Sequence, residues 1–474
     1  MTASLRPALL GATHPTMAGL ADLAAAAAGW AFATAVVLSP FRARIVLAAR
    51  PSPPVYADFT DVLLFWSEAA VLVTVGLWLV SLVLRPGLGA ARWERRRFAP
   101  GLAFLIWPAA GLIALAWLGV PGSLDPAGAA SQAVGLMLLA AFAAYVFVEV
   151  RDPRRLLVPV GAMVVLQAAI GLGQLMTQGS LGLGGLGELT LSPSLPVSVV
   201  TTADGLRVLR AYGLTDHPNI LGGLLAVGSS LLAAAFAVEP PARRRLRRGL
   251  VLAFAIGLAG LLATFSRGGF LALGAGLLVL VTMLLRSRDR TAPGRLGVIL
   301  LAGLLVAAPL AVAFLPALAA RSGTQGPIAT EAASIDERLA VDALAVSIAA
   351  AHPVLGVGLG QLPRAEQVAR PGFAFEYQPA SLVPLDAAAE TGLVGGLLVL
   401  VVTVAPWVAL VRLRSAWTPA LVVASAALAA VALVGFVDYY IWTDAPGRIW
   451  AWLVLGLWAV AYRDARAAGA RRAA

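Results

Sequence analysis

The chain has 474 residues, of which 60% are hydrophobic and 12% charged, and its mean hydropathy is +0.87. A soluble domain carries about twice that share of charge, so the repeated apolar runs of roughly 20 residues identify an all-α polytopic membrane protein. Disulfides and thiol chemistry are excluded because there is no cysteine, and three scattered histidines, His14, His217 and His352, make a histidine metal site a poor expectation. The 35 basic residues, all arginine, give a net charge of +11. They sit mostly in loops between apolar runs, which points to topology and not to nucleic acid.

Met1 to Pro15 lacks the pattern of a cleaved signal, so the first apolar stretch reads as a retained anchor. Apolar stretches follow at 18–40, 59–84, 98–120, 128–149, 156–176, 218–238, 249–265, 268–285, 296–316, 391–411, 418–437 and 449–462, about twelve in all, forming a single transmembrane domain over 1–474. With that count, arginine clusters at 85–97, 151–155, 243–248, 286–295, 412–414 and 463–472 share one side. The positive-inside rule makes that side the cytoplasm and places both termini there. Arg42, Arg44 and Arg50 are the exception and fall outside.

The outer side receives two long segments, 177–217 and 317–390. The first is rich in Gly, Ser and Thr and is expected to be irregular or partly extended. The second predicts a partly helical lid, with Ser334 and Glu337 as a capping box and Leu339, Leu344 and Ile348 turned to the bundle.

Four outer-side arginines stand apart from the topology signal. They are Arg210, Arg267 in a Ser-Arg-Gly-Gly hairpin, Arg338 after two acids, and Arg448 at the start of the last stretch. Taken singly, Arg267 can be a turn residue snorkelling to the interface and Arg338 a surface residue in local ion pairs. Together the four would build an anion-binding pocket at the membrane interface, and a lipid diphosphate suits it, because arginine neutralises a leaving diphosphate without a metal.

Five segments in order carry a family resemblance. These are Arg-Ala-Tyr-Gly-Leu-Thr-Asp-His-Pro-Asn at 210–219, Phe-Ser-Arg-Gly-Gly at 265–269, Glu-Arg-Leu at 337–339, His-Pro-Val-Leu-Gly-Val-Gly-Leu-Gly at 352–360 and Ala-Glu-Thr-Gly-Leu-Val-Gly at 389–395. Over roughly residues 160–450 the chain resembles the O-antigen ligase-like superfamily of O-antigen ligases, polysaccharide polymerases and protein O-oligosaccharyltransferases. The resemblance implies a GT-C-like bundle in the bacterial inner membrane with a periplasmic active site. It further implies inverting, metal- and cofactor-independent transfer of a glycan from undecaprenyl diphosphate to a hydroxyl of a glycolipid, glycan or protein. Carried over by motif, the diphosphate arginines fall on Arg267 and Arg338.

The chain departs from the pattern at the expected base. Ser381 and Leu382 stand where relatives carry His-Asn, and Tyr439 stands where some carry a second histidine. Serine is no general base at neutral pH without help. A carboxylate (Glu376, Asp386 or Glu390) can replace the imidazole, with its proton affinity raised by burial. Transfer can also proceed with little or no base, or the chain can keep carrier binding without transfer. His217 reads as a helix-entry residue or an acceptor-side contact. A non-catalytic carrier-binding protein and a lipid transporter or flippase are the competing classes, the latter weakened by scarce intramembrane charge.

Overall fold

The computed structural model describes residues 17–85, 100–150, 152–287, 289–322, 329–413 and 417–473. Met1–Pro15, most of the first arginine cluster and Arg414 lie outside the described residues. In chain order the helices are α1 Met17–Leu38, α2 Trp66–Val83, α3 Ala103–Gly119, α4 Pro126–Glu149, α5 Leu157–Thr177, α6 Pro218–Val238, α7 Arg244–Ala263 and α8 Arg267–Leu285. They continue with α9 Ala292–Ala313, α10 Leu315–Ser322, α11 Ala329–Ala351, α12 Leu362–Ala369, α13 Val383–Arg412, α14 Pro419–Val434 and α15 Ala445–Ala473.

Among the described residues ten helices, α1 to α9 and α13, are long and apolar enough to cross a membrane. The helix α14 is apolar but shorter, and α15 carries Arg448 in its first turn before burying Trp450, Leu453, Leu457 and Trp458. Each apolar stretch read from the sequence overlaps one of these helices. The largest shifts are at α2, which starts at Trp66, at α13, which starts at Val383, and at α15, which runs on past Tyr462.

At the centre stands α6, buried except at Asn219 and Val238, with α5, α7, α8, α9 and α14 around it. Small residues set the spacing. A Cβ on Gly276 of α8 would lie 2.3 Å from the Ser230 hydroxyl of α6, and one on Gly223 would lie 1.5 Å from the Tyr440 hydroxyl. In lipid, where apolar side chains gain nothing by leaving the tails, such close backbone approach holds helices together.

One end of the bundle is tied by arginines. Arg154 and Arg243 pair with Glu239 at 3.0 and 3.1 Å, Arg247 donates to the carbonyls of Phe236 and Glu239, and Arg295 donates to that of Ala237. These cations satisfy the carbonyls that the C-terminus of α6 leaves open and oppose its dipole.

The segments 39–65, 178–217, 315–322 and 329–382 gather at the opposite end. Strands β1 (Arg44–Ala48) and β2 (Val62–Phe65) pair antiparallel, as do β3 (Val199–Thr201) and β4 (Arg207–Leu209), so 177–217 is irregular and partly extended. The three exceptional arginines are all engaged by carboxylates: Arg42 and Arg44 by Asp216, Arg44 also by Asp58, and Arg50 by Asp125. That folded-state role is invisible to a count of loop arginines.

The lid helix α11 differs from its expected form in two ways. It begins at Ala329, so Ser334 lies inside it and does not cap it. Its buried stripe is Val341, Leu344, Ala345 and Ile348, a helical i, i+3, i+4, i+7 spacing that leaves Leu339 outward and 63% exposed.

Candidate active site

The glycine run at 356–360 and the Glu-Thr-Gly segment interlock. The helix α13 breaks at Gly392, whose φ of 82° and ψ of 169° are non-helical, and the carbonyls of Ala389 and Glu390 accept from Val357 N at 2.9 Å and Gly358 N at 3.0 Å. Leu393 N donates to Pro353 O at 2.9 Å in return. Gly356 and Gly392 both have positive φ, and a Cβ on either would lie 2.2–2.3 Å from the other segment's backbone, so glycine is required on both sides. The backbone groups freed by the break are thus satisfied by protein. The break carries Glu390 beside the Trp442 indole, which donates to it at 2.9 Å.

An arginine corner lies at the same end. Arg338 of α11 donates to Val437 O at 2.9 Å and pairs with Asp438 at 3.6 Å. The Asp438 carboxylate accepts from Asn219 Nδ2 at 3.3 Å, and Asn219 Oδ1 accepts from Arg210 Nη2 at 2.7 Å. Arg210 also donates to Thr264 O at 2.7 Å and the Ser198 hydroxyl at 2.8 Å.

The turn before α8 completes the corner. Phe265 adopts φ 49°, in the left-handed region, and its carbonyl accepts from Arg321 at 3.2 Å. Ser266 caps α8 by accepting from Gly269 N at 3.1 Å, leaving Arg267 exposed in the first turn. A Cβ on Gly268 would touch Val437, so this turn and Arg338 meet the same residue. His217 caps α6, with Nδ1 accepting from Asn219 N at 3.1 Å. Burial, with Arg210, Arg338 and Arg321 adding repulsion, pushes His217 down to about 3, so its imidazole is neutral. Burial raises Asp438 from the usual carboxylate range, opposed by Arg338.

Arg448 stands in a separate chamber of about 200 Å³. It donates to Gln132 Oε1 at 2.7 Å and pairs with Glu68 at 3.3 Å. His217 and Tyr439 also line this chamber and link it to the arginine corner, and the β1–β2 segment covers it. The four sequence arginines therefore divide: Arg210, Arg267 and Arg338 belong to the corner, and Arg448 to the chamber.

Of the expected base positions, Asp386 and Glu390 lie one turn apart on α13. Ser381 N donates to Asp342 at 2.7 Å. Asp386 is buried, with one oxygen accepting from Ala380 N at 2.7 Å and the other without a hydrogen-bond partner among the described residues. Glu376 is held by the Tyr56 hydroxyl, and Tyr439 OH donates to Gln378 at 3.3 Å. Asp438, Asn219, Arg321 and Asp444 were not singled out by sequence. The one signal for Asn219, Asp438 and Asp444 is that 210–219 and 438–448 are polar stretches at the mouths of apolar runs, and Arg321 has none.

Residues 252–400 match the family model for O-Antigen ligase. The match takes in Arg267, Arg338 and the interlocked break, and it supports placement in the O-antigen ligase-like superfamily. With the apolar helices, it supports a glycan-transferring ligase or polymerase in a multi-pass membrane protein. Arg210, His217, Asp438, Tyr439 and Arg448 lie outside the matched residues. A comparison with curated proteins found no match.

Proposed function

We propose that the protein transfers a glycan from undecaprenyl diphosphate to an acceptor hydroxyl at the outer face of a bacterial inner membrane, with the diphosphate held by Arg338 and Arg267. The observation that carries this reading is that Arg338 and the Ser266–Arg267–Gly268 turn, both inside the O-antigen ligase match, meet at Val437. The first-turn N–H groups of α8 add to the pull on an anion, and Arg321 adds a third cation. The part of Arg210 is to hold the corner from behind, since it is 2% exposed and its Nε, Nη1 and Nη2 are all engaged.

An apolar cleft supports a lipid-linked donor. It is lined by Leu112, Val399, Val431 and Trp452, and it reaches Gly435 and Phe436, next to the Val437–Asp438 segment that Arg338 clasps. An isoprenoid chain lying there puts its diphosphate at the corner. As the acceptor oxygen attacks the anomeric carbon, the carbon–oxygen bond to phosphate breaks and its electron pair leaves with the diphosphate, where the arginines offset the charge.

The proton of the acceptor hydroxyl passes to Asp438. When the diphosphate takes Arg338, Asp438 loses the cation that opposes its raised proton affinity. A carboxylate already at the corner replaces the histidine absent at Ser381.

The test is incubation of purified protein with undecaprenyl-diphosphate oligosaccharide and an acceptor. Released carrier and transferred glycan are expected, and both are lost in Arg267→Ala and Arg338→Ala. The absence of histidine at Ser381 and Tyr439 favours a second reading, carrier binding without transfer. It predicts binding by wild type, no turnover, and no gain in Ser381→His.

A further inference from the structure

We infer that the chamber beneath the β1–β2 segment is the acceptor subsite, and that it takes a sugar unit bearing no acidic group. The inference rests on the transfer reading above and names the class of its second substrate.

Position comes first. His217 and Tyr439 line the chamber, and the residues beside them, Asn219 and Asp438, hydrogen-bond to each other in the arginine corner. A group in the chamber thus sits one side chain away from where the donor's anomeric carbon would lie. Size comes next: about 200 Å³ suits one small polar unit and not an oligosaccharide.

The lining has the mixed chemistry that polyols need. Gln132, Thr443 and Tyr439 offer hydroxyl and amide groups, and the rings of Tyr56 and Phe59 offer flat apolar walls. Phe59 packs edge-on against Tyr439 at 6.1 Å. Arg448 Nε is buried there without a hydrogen-bond partner among the described residues.

Charge then sets the class. Five acidic side chains line the chamber, and with Asp444 protonated the other four (Asp58, Asp61, Glu68 and Asp216) face two guanidiniums, Arg44 and Arg448, with Arg42 also paired to Asp216. Crowding already shows: burial and Asp216 push Asp444 up to about 8. A uronate or other acidic sugar meets net repulsion here, whereas a neutral or amine-bearing one does not. All of these lining residues fall outside residues 252–400, so recognition of the acceptor is built by parts of the chain separate from the matched segment.

The test is saturation-transfer NMR on full-length protein in nanodiscs with free glucosamine, N-acetylglucosamine and glucuronate as probes, alongside undecaprenyl diphosphate binding. Glucosamine and N-acetylglucosamine are expected to receive saturation and glucuronate is not. Tyr56→Ala, at a half-exposed residue on the roof, should weaken the two bound sugars about tenfold, the loss of one flat wall, while undecaprenyl diphosphate binds as in wild type. Asp58→Asn with Asp61→Asn should admit glucuronate. Equal binding of glucuronate by wild type, or sugar binding untouched in Tyr56→Ala, overturns the inference. Sugars that fail to bind while undecaprenyl diphosphate binds also overturn it and leave the transfer reading standing. Failure of undecaprenyl diphosphate itself to bind is the failure of that reading instead.

Discussion

Arg210 and Arg338 reach the same pair, Asn219 and Asp438, from opposite sides. Arg210 is 2% exposed and ties together β3–β4, the turn before α8 and the start of α6. Arg338 has a side chain 44% exposed and holds one carbonyl and one carboxylate at 3.6 Å. A buried cation with its donors satisfied cannot be reassigned to a substrate without dismantling what it holds. An exposed one with a loose ion pair can exchange that partner for a diphosphate at small cost. Two arginines that look alike in sequence thus separate into a builder of the corner and the binder of the proposed function.

Substitutions can break this comparison. The largest expected effect is in Arg338→Ala, where transfer falls about a thousandfold while the thermal midpoint in detergent stays close to that of wild type. Arg210→Ala should do the reverse in kind, losing on the order of 3 kcal/mol of stability as three acceptors are left unpaired. Arg210→Lys should not rescue it, because an ammonium cannot span the three acceptors of the fork. Thermal unfolding checks both, and an Arg210→Ala protein as stable as wild type would erase the distinction.

Asp438→Asn tests the binder's internal partner. Transfer is expected to fall about a hundredfold with the base, while undecaprenyl diphosphate binds a few-fold tighter because the competing anion is gone. Unchanged binding would mean that Asp438 does not compete for Arg338.

Glu366 extends the contrast to a buried group with no cation paired to it among the described residues. Burial pushes it up to about 9, above its ordinary 4.5, so the folded protein keeps a proton that the unfolded chain gives up. Its contribution is therefore full below about pH 4.5 and is lost as pH rises towards 9. Glu366→Gln should raise stability by on the order of 2 kcal/mol near pH 8 and flatten the decline, as read from melting across pH 5–9.

The helices were legible because length and hydropathy alone specify them, and the Ser-Arg-Gly turn and Arg338 were legible from motif order. What sequence withheld is contact between distant residues. Arg338 and Val437 are 99 residues apart, and Arg42 and Asp216 are 174 apart, so neither the corner's carboxylate nor the pairing of the outer arginines shows in a local pattern. Nothing local in the glycine run at 356–360 shows that it interlocks with the break at Gly392. Leu339 was misassigned because one residue's offset on a helix turns a side chain by about 100°, away from the stripe at Val341, Leu344 and Ile348.

The most direct test of the central claim is the affinity of undecaprenyl diphosphate for purified wild type, Arg338→Ala and Arg267→Ala in nanodiscs, read by native mass spectrometry. A bound carrier in wild type, with each alanine variant at least about tenfold weaker as expected for loss of a charged phosphate contact, is the predicted result. Equal binding by all three would contradict the assignment of the diphosphate to this corner.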